Sequence, residues 1–167
     1  AEQGCDLLML EMMLTHEFAM DLEFQAEIAA IAKRTGLPVW AGIAVKMDEA
    51  GALHLQDSPG DTSETLRRGI EGLLAEGVDV AGIMHSEVDA TLPALDLLER
   101  YWSGPVAVYP NSGHYERPTW YFDPAIEPDA FAADAMQWAQ RGVDAIGGCC
   151  GIGPDHILAL SKALGRK

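Results

Sequence analysis

The sequence predicts an α/β fold in which parallel strands alternate with helices. Short apolar segments recur along the 167 residues, and their hydrophobicity is nearly continuous, as in strands that are buried on both faces. Segments with helical spacing of apolar residues lie between them. Junctions such as Gly77-Val78-Asp79 and Gly142-Val143-Asp144 precede strands, as expected where a helix ends at a left-handed glycine. These observations together indicate a chain of βα units.

Five such units can be assigned in chain order. The strands are predicted at residues 7–12, 38–45, 78–85, 105–110 and 143–149, each an apolar segment that follows a glycine junction. The helices are predicted at residues 17–35, 61–76, 91–102, 129–141 and 154–164. The second helix begins with Asp61 and Glu64 in the pattern of a capping box, and the fifth begins with Pro154, which suits a first helical position.

Two architectures accommodate these units. A closed (β/α)8 TIM barrel uses eight units and about 250 residues, so the chain would supply about the last five. Residues 1–3 before Gly4 resemble the last turn of a helix, and we therefore expect a single domain, residues 1–167, that is truncated at its N-terminus. A complementary N-terminal half or a homo-oligomer would then cover the unpaired strand edges. The alternative is an open doubly wound parallel sheet of the flavodoxin type.

The composition restricts the partners of the chain. Its 11 basic and 26 acidic residues give a formal charge of −15, which repels nucleic-acid phosphates and anionic lipids, so we expect neither nucleic acid nor a membrane as a partner. No segment reaches the roughly 18 apolar residues of a membrane span. With 49% hydrophobic residues the chain can bury a core, and a cytoplasmic location is expected.

The most informative motif is Gly-Gly-Cys-Cys-Gly at residues 147–151, between the last predicted strand and the last helix. Catalytic groups of α/β folds collect at the carboxyl ends of strands, which is where this turn places Cys149 and Cys150. Adjacent cysteines do not readily form a disulfide. Their thiolates suit Zn²⁺, which requires at least one further protein ligand. Burial of both cysteines as small apolar residues is the alternative.

The other predicted strand ends supply candidate partners for this pair. Glu11, Lys46, His85 and Asn111 end the four earlier strands. His85 is a candidate metal ligand or, alternatively, a structural histidine. Glu11 could bind a substrate ammonium group or a neighbouring backbone amide. Cys5, at the start of its strand, is interpreted as a core thiol. We assign structural roles to the remaining histidines, His16, His54, His114 and His156.

These segments resemble the zinc-dependent homocysteine S-methyltransferase family, which includes the betaine-homocysteine enzymes. The resemblance covers essentially the whole chain and is carried by residues 147–157, by Tyr-Pro-Asn-Ser-Gly at 109–113 and by Leu10-Glu11. It implies a TIM barrel that binds Zn²⁺ through three sulfur atoms and transfers a methyl group to the thiol of homocysteine, forming methionine. It also implies substrate contacts from Glu11, which would hold the ammonium group during catalysis, and from Gly82, Tyr109 and Asn111.

One position departs from the family pattern. The first zinc cysteine of the family ends a Gly-x-Asn-Cys segment, and the matching residues here are Gly82-Ile83-Met84-His85. His85, Cys149 and Cys150 would therefore form a site of two sulfurs and one nitrogen. With one negative charge fewer in the ligand set, we expect the acceptor sulfur to be held more tightly and to be less nucleophilic.

Other functions remain open at this point. A metal-binding barrel fragment without methyltransferase activity, or an enzyme that acts on a different thiol, is the main alternative. A metal-dependent hydrolase would require more histidines and aspartates at the strand ends. A thiol-disulfide oxidoreductase would require two cysteines separated by two residues. The sequence does not specify the methyl donor.

Overall fold

The computed structural model describes residues 4–13, 22–56, 63–116 and 118–166 of the chain. Within these residues the strands are β1 Leu8–Met13, β2 Val39–Ile43, β3 Val45–Met47, β4 Leu53–Leu55, β5 Val80–Glu87, β6 Val106–Asn111, β7 His114–Glu116, β8 Thr119–Tyr121 and β9 Ala145–Ile146. The helices are α1 Leu22–Lys33, α2 Ser63–Ala75, α3 Val88–Leu98, α4 Pro128–Gln140 and α5 Pro154–Ala163. None of these helices is long and apolar enough to cross a bilayer.

A five-stranded parallel sheet forms the centre of the molecule, in the order β1-β2-β5-β6-β9. Each strand lies beside the next parallel strand along the chain, so that Trp40 pairs with Val80 and Gly82 with Ala107. A doubly wound sheet reverses its strand order at a switch point. The order contains no such reversal among the described strands. The α/β prediction is therefore confirmed as an arc of barrel type, and the doubly wound alternative is wrong.

The hydrophobic core lies between the sheet and its helices. The strands contribute Val39, Ala41, Ile43, Ala81, Ile83 and Val108, and the helices contribute Leu66, Ile70, Leu73, Phe131, Ala135 and Trp138. On α2 the buried residues recur at intervals of three and four, so that one face of this helix packs against the sheet. On α4 the two aromatic rings meet edge to face with centroids 5.8 Å apart. The helices therefore cover one face of the arc.

Aspartates of the glycine junctions hold the amino-terminal edge of the sheet. The Asp79 carboxylate accepts hydrogen bonds from the Val39 amide and from Lys33 Nζ, each at 2.7 Å. Asp144 accepts the Val106 amide at 2.8 Å. In both cases the carboxylate pairs with the first backbone donor of the adjacent strand, which would otherwise lack a partner. These hydrogen bonds explain why an aspartate recurs in the Gly-Val-Asp junctions.

Two antiparallel hairpins interrupt the predicted alternation of strands and helices. The strand expected at residues 38–45 ends at Ile43, after which β3 pairs with β4. Lys46, expected at the end of the second strand, is exposed in this hairpin opposite His54. Asp48 Oδ1 accepts the amides of two residues of the turn, which is the local chemistry that favours a reversal here. The second hairpin joins β7 and β8 and follows β6.

Other element bounds differ from the predictions by a few residues. Strand β5 extends to Glu87, and α3 begins at Val88 rather than at residue 91. Strand β9 contains two residues rather than seven, because the chain from Gly147 onward forms a turn that is bonded to β6. The helix starts expected at residues 17 and 61, including the Asp61 capping box, lie outside the described residues.

Candidate metal centre

Three potential metal donors meet at the carboxyl-terminal edge of the sheet: the side chains of His85, Cys149 and Cys150. Cys149 Sγ lies 3.1 Å from His85 Nδ1 and 3.5 Å from Cys150 Sγ. All three side chains are half-buried, and both cysteines are free thiols. The structure thus brings together the three residues that the sequence analysis selected as metal ligands. Their role as ligands stays a prediction.

The end of β6 fixes the turn that carries the two thiols. The Cys149 amide donates to the Pro110 carbonyl at 2.9 Å, and the Ser112 amide donates to the Cys150 carbonyl at 2.8 Å. Gly151 follows with a φ of +78°, and a Cβ there would collide with the Ser112 carbonyl oxygen. Glycine alone accepts both this backbone angle and this close approach. The turn is therefore anchored to the sheet.

A β-bulge directs His85 towards the thiols. Met84 pairs with Tyr109 and Glu87 pairs with Asn111, so that β5 contains one extra residue relative to β6. His85 lies in this bulge with a φ of +50°, which is uncommon for a residue other than glycine. The backbone is strained at the residue that faces the thiols.

Strand alternation alone would place His85 on the opposite face of the sheet. Ala81 and Ile83 belong to the core beneath the helices, and every second residue of a strand shares a face. Met84 lies on the other face, where a Cβ on Gly42 would collide with its side chain. The bulge therefore moves His85 to the face of Met84. Its position at a strand end identified the residue, but no feature of the sequence indicated the bulge.

Glu11 borders the three donors. Its Oε2 lies 3.7 Å from His85 Nε2, and its side chain is 59% exposed. Like His85, it lies at an irregularity of strand pairing, and the following Met12 has a φ of +53°. The carboxylate is therefore adjacent to the donors and open to a ligand. The role of Glu11 in binding a substrate ammonium group stays a prediction.

The Cys149 thiol is protonated at neutral pH in the absence of a cation. Burial raises its pKa to about 11, and the hydrogen bond to Cys150 and the negative charge of Glu11 contribute in the same direction. A coordinated metal ion reverses this preference, because its positive charge stabilises the thiolate. The Cys149 thiol is thus better suited to hold a cation than to act as a free nucleophile.

The donor set fits a zinc ion. Tetrahedral bond lengths of about 2.3 Å to sulfur and about 2.0 Å to nitrogen place two sulfurs about 3.8 Å apart, and a sulfur and a nitrogen about 3.5 Å apart. The corresponding separations are 3.5 Å and 3.1 Å. All three donor atoms lie within 4.8 Å of one another, so a small rearrangement of the side chains would accommodate the ion. Thiolate and imidazole together favour zinc over magnesium or calcium.

Comparison with known proteins relates this geometry to a family. Residues 1–164 match the sequence profile described as Homocysteine S-methyltransferase. The chain belongs to this family. It is 34% identical over 70 residues to homocysteine S-methyltransferase 2 of Arabidopsis thaliana and 32% identical over 91 residues to homocysteine S-methyltransferase YbgG of Bacillus subtilis (strain 168). These alignments cover 40% and 53% of the chain, and 21% and 27% of the two relatives.

The similarity to a solved structure extends over nearly the whole arc. The metallated form of homocysteine methyltransferase MmuM from Escherichia coli matches with a TM-score of 0.65 and 27% identity. The match covers 96% of the chain and 46% of MmuM. The chain therefore spans about half the length of MmuM, and its alignments cover less than a third of each of the two sequence relatives.

The other substrate contacts expected for a homocysteine S-methyltransferase lie on β5 and β6. A Cβ on Gly82 would be 2.8 Å from the Ala107 carbonyl oxygen, so the strands are too close there for a side chain. Tyr109 lies against Gly147, and burial raises the pKa of its phenol, which is therefore a neutral hydrogen-bonding group at pH 7. Asn111 is 5% exposed and lines a cavity of about 400 Å³ together with Leu92 of α3 and Trp138 of α4, rather than with the candidate metal donors. The substrate contacts of Gly82, Tyr109 and Asn111 stay predictions.

Several residues outside the centre can also be assigned. The interpretation of Cys5 as a core thiol is wrong, because Cys5 precedes β1 and is exposed in the part of the chain that the structure describes. His156 accepts the Gly153 amide through Nδ1 at 3.1 Å and donates through Nε2 to the Ile126 carbonyl at 2.7 Å, which supports its structural role at the start of α5. His114 lies in β7, and His16 lies outside the described residues.

Proposed function

We propose that the chain forms the metal- and acceptor-binding part of an enzyme that transfers a methyl group to the thiol of homocysteine, yielding methionine. The observation that carries this proposal is the convergence of His85, Cys149 and Cys150 within 4.8 Å at the carboxyl edge of a barrel-type arc. Membership of the homocysteine S-methyltransferase family and the names of the relatives support the same reaction.

We propose Zn²⁺ as the ion that these three residues hold. When bound, it supplies the positive charge that lowers the pKa of a thiol and so favours the nucleophilic thiolate at neutral pH. The metallated form of MmuM supports a metal in this family. The two cysteines contribute the negative charge of the ligand set, and His85 contributes a neutral donor where the family pattern predicts a third thiolate.

The remaining residues of the site bind and orient the acceptor. We propose that the exposed Glu11 carboxylate, 3.7 Å from His85 Nε2, accepts hydrogen bonds from the ammonium group of an amino-acid substrate. This ion pair fixes one end of the acceptor, so that its sulfur meets the donor methyl group along the line of displacement. Tyr109 and Asn111 provide neutral polar groups on the neighbouring strand. Together they supply orientation, whereas the thiols and His85 supply the electrostatic environment.

Further βα units and a methyl donor belong to the complete activity. The described arc has outer edges at β1 and β9, and α5 exposes Ile157 at 41% and Leu158 at 52%. We propose that N-terminal βα units pack against these surfaces and close the barrel, with a homo-oligomer as the alternative. We also propose that the enzyme acts in the cytoplasm. Which methyl donor the enzyme uses would then depend on those N-terminal units.

The first experiment counts the metal. The chain is purified with zinc under reducing conditions, and zinc per chain is measured by elemental analysis for the wild type and for Cys149→Ser, Cys150→Ser and His85→Ala. One zinc per chain in the wild type and a loss in both cysteine variants are expected. Full zinc content in both cysteine variants would reject the site. Full zinc content in His85→Ala alone would remove the histidine from the ligand set.

The second experiment separates a methyltransferase from a protein that only binds metal. A cobalt-substituted sample is titrated with homocysteine and, as a matched control, with homoserine, which differs by an oxygen in place of the sulfur. Homocysteine is expected to change the thiolate-to-cobalt absorption, and homoserine is not. Equal responses would favour metal binding without a thiol substrate. Methionine formation with a sulfonium, betaine or folate donor is then measured in the complete assembly.

A further inference from the structure

A buried serine directly follows the histidine of the metal centre. Ser86 is 1% exposed and lies in the β5 bulge beside His85. Its Oγ accepts the Val45 amide at 2.9 Å and donates to the Met84 carbonyl at 3.1 Å. One hydroxyl group therefore connects three points of the backbone: its own residue, the residue before His85 and the start of β3.

The hydrogen bond between the Val45 amide and Ser86 replaces the strand pairing that ends just before Val45. Pairing between β2 and β5 stops at Ile43 opposite Ile83, because the chain then turns away into the β3–β4 hairpin. Val45 is 2% exposed, so an unpaired amide there would be costly. The Ser86 hydroxyl supplies the acceptor that the sheet no longer provides. This contact fixes the bulge relative to the neighbouring strand.

The bond to Met84 spans His85. It joins the carbonyl before the histidine to the side chain after it, and the residue between them is held at a φ of +50°. A residue other than glycine keeps a left-handed backbone conformation only where the surrounding structure holds it there. The same backbone angle turns the imidazole to the face on which Cys149 Sγ lies 3.1 Å from Nδ1.

We propose that Ser86 is a positioning residue of the metal centre: its hydroxyl holds the β5 bulge, and the bulge turns the His85 imidazole towards the two thiols. This inference rests on the metal centre proposed above and adds a residue that contacts neither the metal nor the substrate. It also links the β3–β4 hairpin to the geometry of the ligands, since Val45 begins that hairpin.

The test is a Co²⁺ titration of the full chain in four forms: wild type, Ser86→Ala, His85→Ala and the double variant. Ser86→Ala is expected to weaken Co²⁺ binding about tenfold, as is usual for residues that orient a ligand. Its visible spectrum should move towards that of His85→Ala. In the double variant, loss of the hydroxyl should cause no further weakening, because Ser86 acts through His85.

Two control variants separate positioning from general stability. Thr91 is 0% exposed and donates to the Glu87 carbonyl at 3.3 Å, so Thr91→Val removes another buried hydroxyl nearby. It should lower the melting temperature without changing the affinity or the spectrum of bound Co²⁺. Ser86→Thr retains the hydroxyl and should restore most of the affinity that Ser86→Ala loses.

The outcomes distinguish the two proposals. A wild-type chain that does not bind Co²⁺ would reject the metal centre itself. Binding by the wild type with an unchanged affinity in Ser86→Ala, or a further tenfold loss in the double variant, would reject the role of Ser86 alone.

A measurement on the wild type applies if Ser86→Ala does not fold. If the Ser86–Val45 hydrogen bond favours metal binding, then metal binding must favour that hydrogen bond to the same extent. Zn²⁺ should therefore slow hydrogen exchange of the Val45 amide more than that of the Asp79 amide. The Asp79 amide is the control, because it donates to the Val39 carbonyl at the opposite edge of the sheet. Equal slowing of the two amides would overturn the proposal.

Discussion

The two edges of the parallel sheet are built by different means. At the amino-terminal edge, Asp79 and Asp144 pair with the first amides of neighbouring strands, and the glycines that precede these two junctions, Gly77 and Gly142, lie in open space. At the carboxyl-terminal edge, His85 has a left-handed backbone and Gly151 lies against a carbonyl oxygen. The two aspartate junctions of the first edge satisfy local hydrogen bonds, and their glycines are not closely packed. The second departs from regular strand geometry at the residues that carry the candidate metal donors.

This difference separates stability from function along the same strands. Residues at the amino-terminal ends of barrel strands generally contribute to stability, and those at the carboxyl-terminal ends to catalysis. The strained residues of the carboxyl edge cost stability, which the aspartate pairs and the core offset elsewhere. Substitutions at the two edges should therefore have separable effects on metal binding and on unfolding.

The largest difference between the edges is expected for their cysteines. Cys149→Ser should weaken zinc binding more than about a hundredfold, because it removes a donor and not merely a residue that orients one. The free energy of unfolding of the metal-free chain should change by less than about 1 kcal/mol. Cys5→Ser, at the exposed thiol near the other edge, is the matched control and should change neither quantity. Competition with a chromophoric chelator measures the affinity, and a similar loss in Cys5→Ser would contradict the assignment.

Two glycines with left-handed backbones provide the next comparison. Gly151→Ala places a Cβ against the Ser112 carbonyl oxygen and should cost about 2–4 kcal/mol of stability as well as weaken zinc binding. Gly142→Ala, at a φ of +92° with no heavy atom within 4 Å of the added Cβ, should cost only about 1–2 kcal/mol and leave zinc binding unchanged. Urea denaturation of both variants tests this order. Equal losses in the free energy of unfolding would show that close packing in the turn that carries Cys149 and Cys150 has no separate effect.

The aspartate pairs should affect stability alone. Asp79→Ala leaves the Val39 amide without its side-chain acceptor and should lower the free energy of unfolding by about 1–2 kcal/mol. Zinc affinity should remain at the wild-type value, because the aspartate lies at the far edge. The same measurements on Asp144→Ala serve as a parallel case. A loss of zinc binding in either variant would mean that the two edges are coupled.

The smallest effect concerns pH. The hydrogen bonds from Lys33 and from the Val39 amide hold the pKa of the Asp79 carboxyl below its usual value. A carboxyl with a lowered pKa in the folded state stabilises the protein above its unfolded pKa of about 3.9, and this contribution disappears as the pH falls through the folded value. Since the side chain is 45% exposed, the contribution should be below about 1 kcal/mol.

The measurement for this prediction is urea denaturation of the wild type and of Asp79→Asn at several pH values. The stability difference between them should be constant from neutral pH to about pH 5 and should shrink below about pH 4. A difference that grows on acidification would contradict the assignment of the lowered pKa to Asp79.

Much of the fold could be predicted because its determinants are local. Apolar runs and glycine junctions located the strands of the parallel sheet, and the Cys-Cys turn and the strand-end rule selected the three donors that the structure brings together. The β3–β4 hairpin was missed because the apolar run at residues 38–45 continues without a break from β2 into Val45, the first residue of β3. The bulge at His85 was missed because it depends on Ser86 and Val45, which are 41 residues apart. Neither residue is unusual in its own sequence context.

The distance in sequence between the donors has a consequence for how the protein unfolds. Cys149 and His85 are 64 residues apart, and the intervening chain contains α3, β6 and α4. An ion shared by both would act as a removable cross-link that closes this long loop in the native state. Removal of the ion by a chelator should then do more than abolish catalysis. It should leave a less rigid C-terminal half that proteases cut more readily, so that metal content and cellular lifetime would vary together.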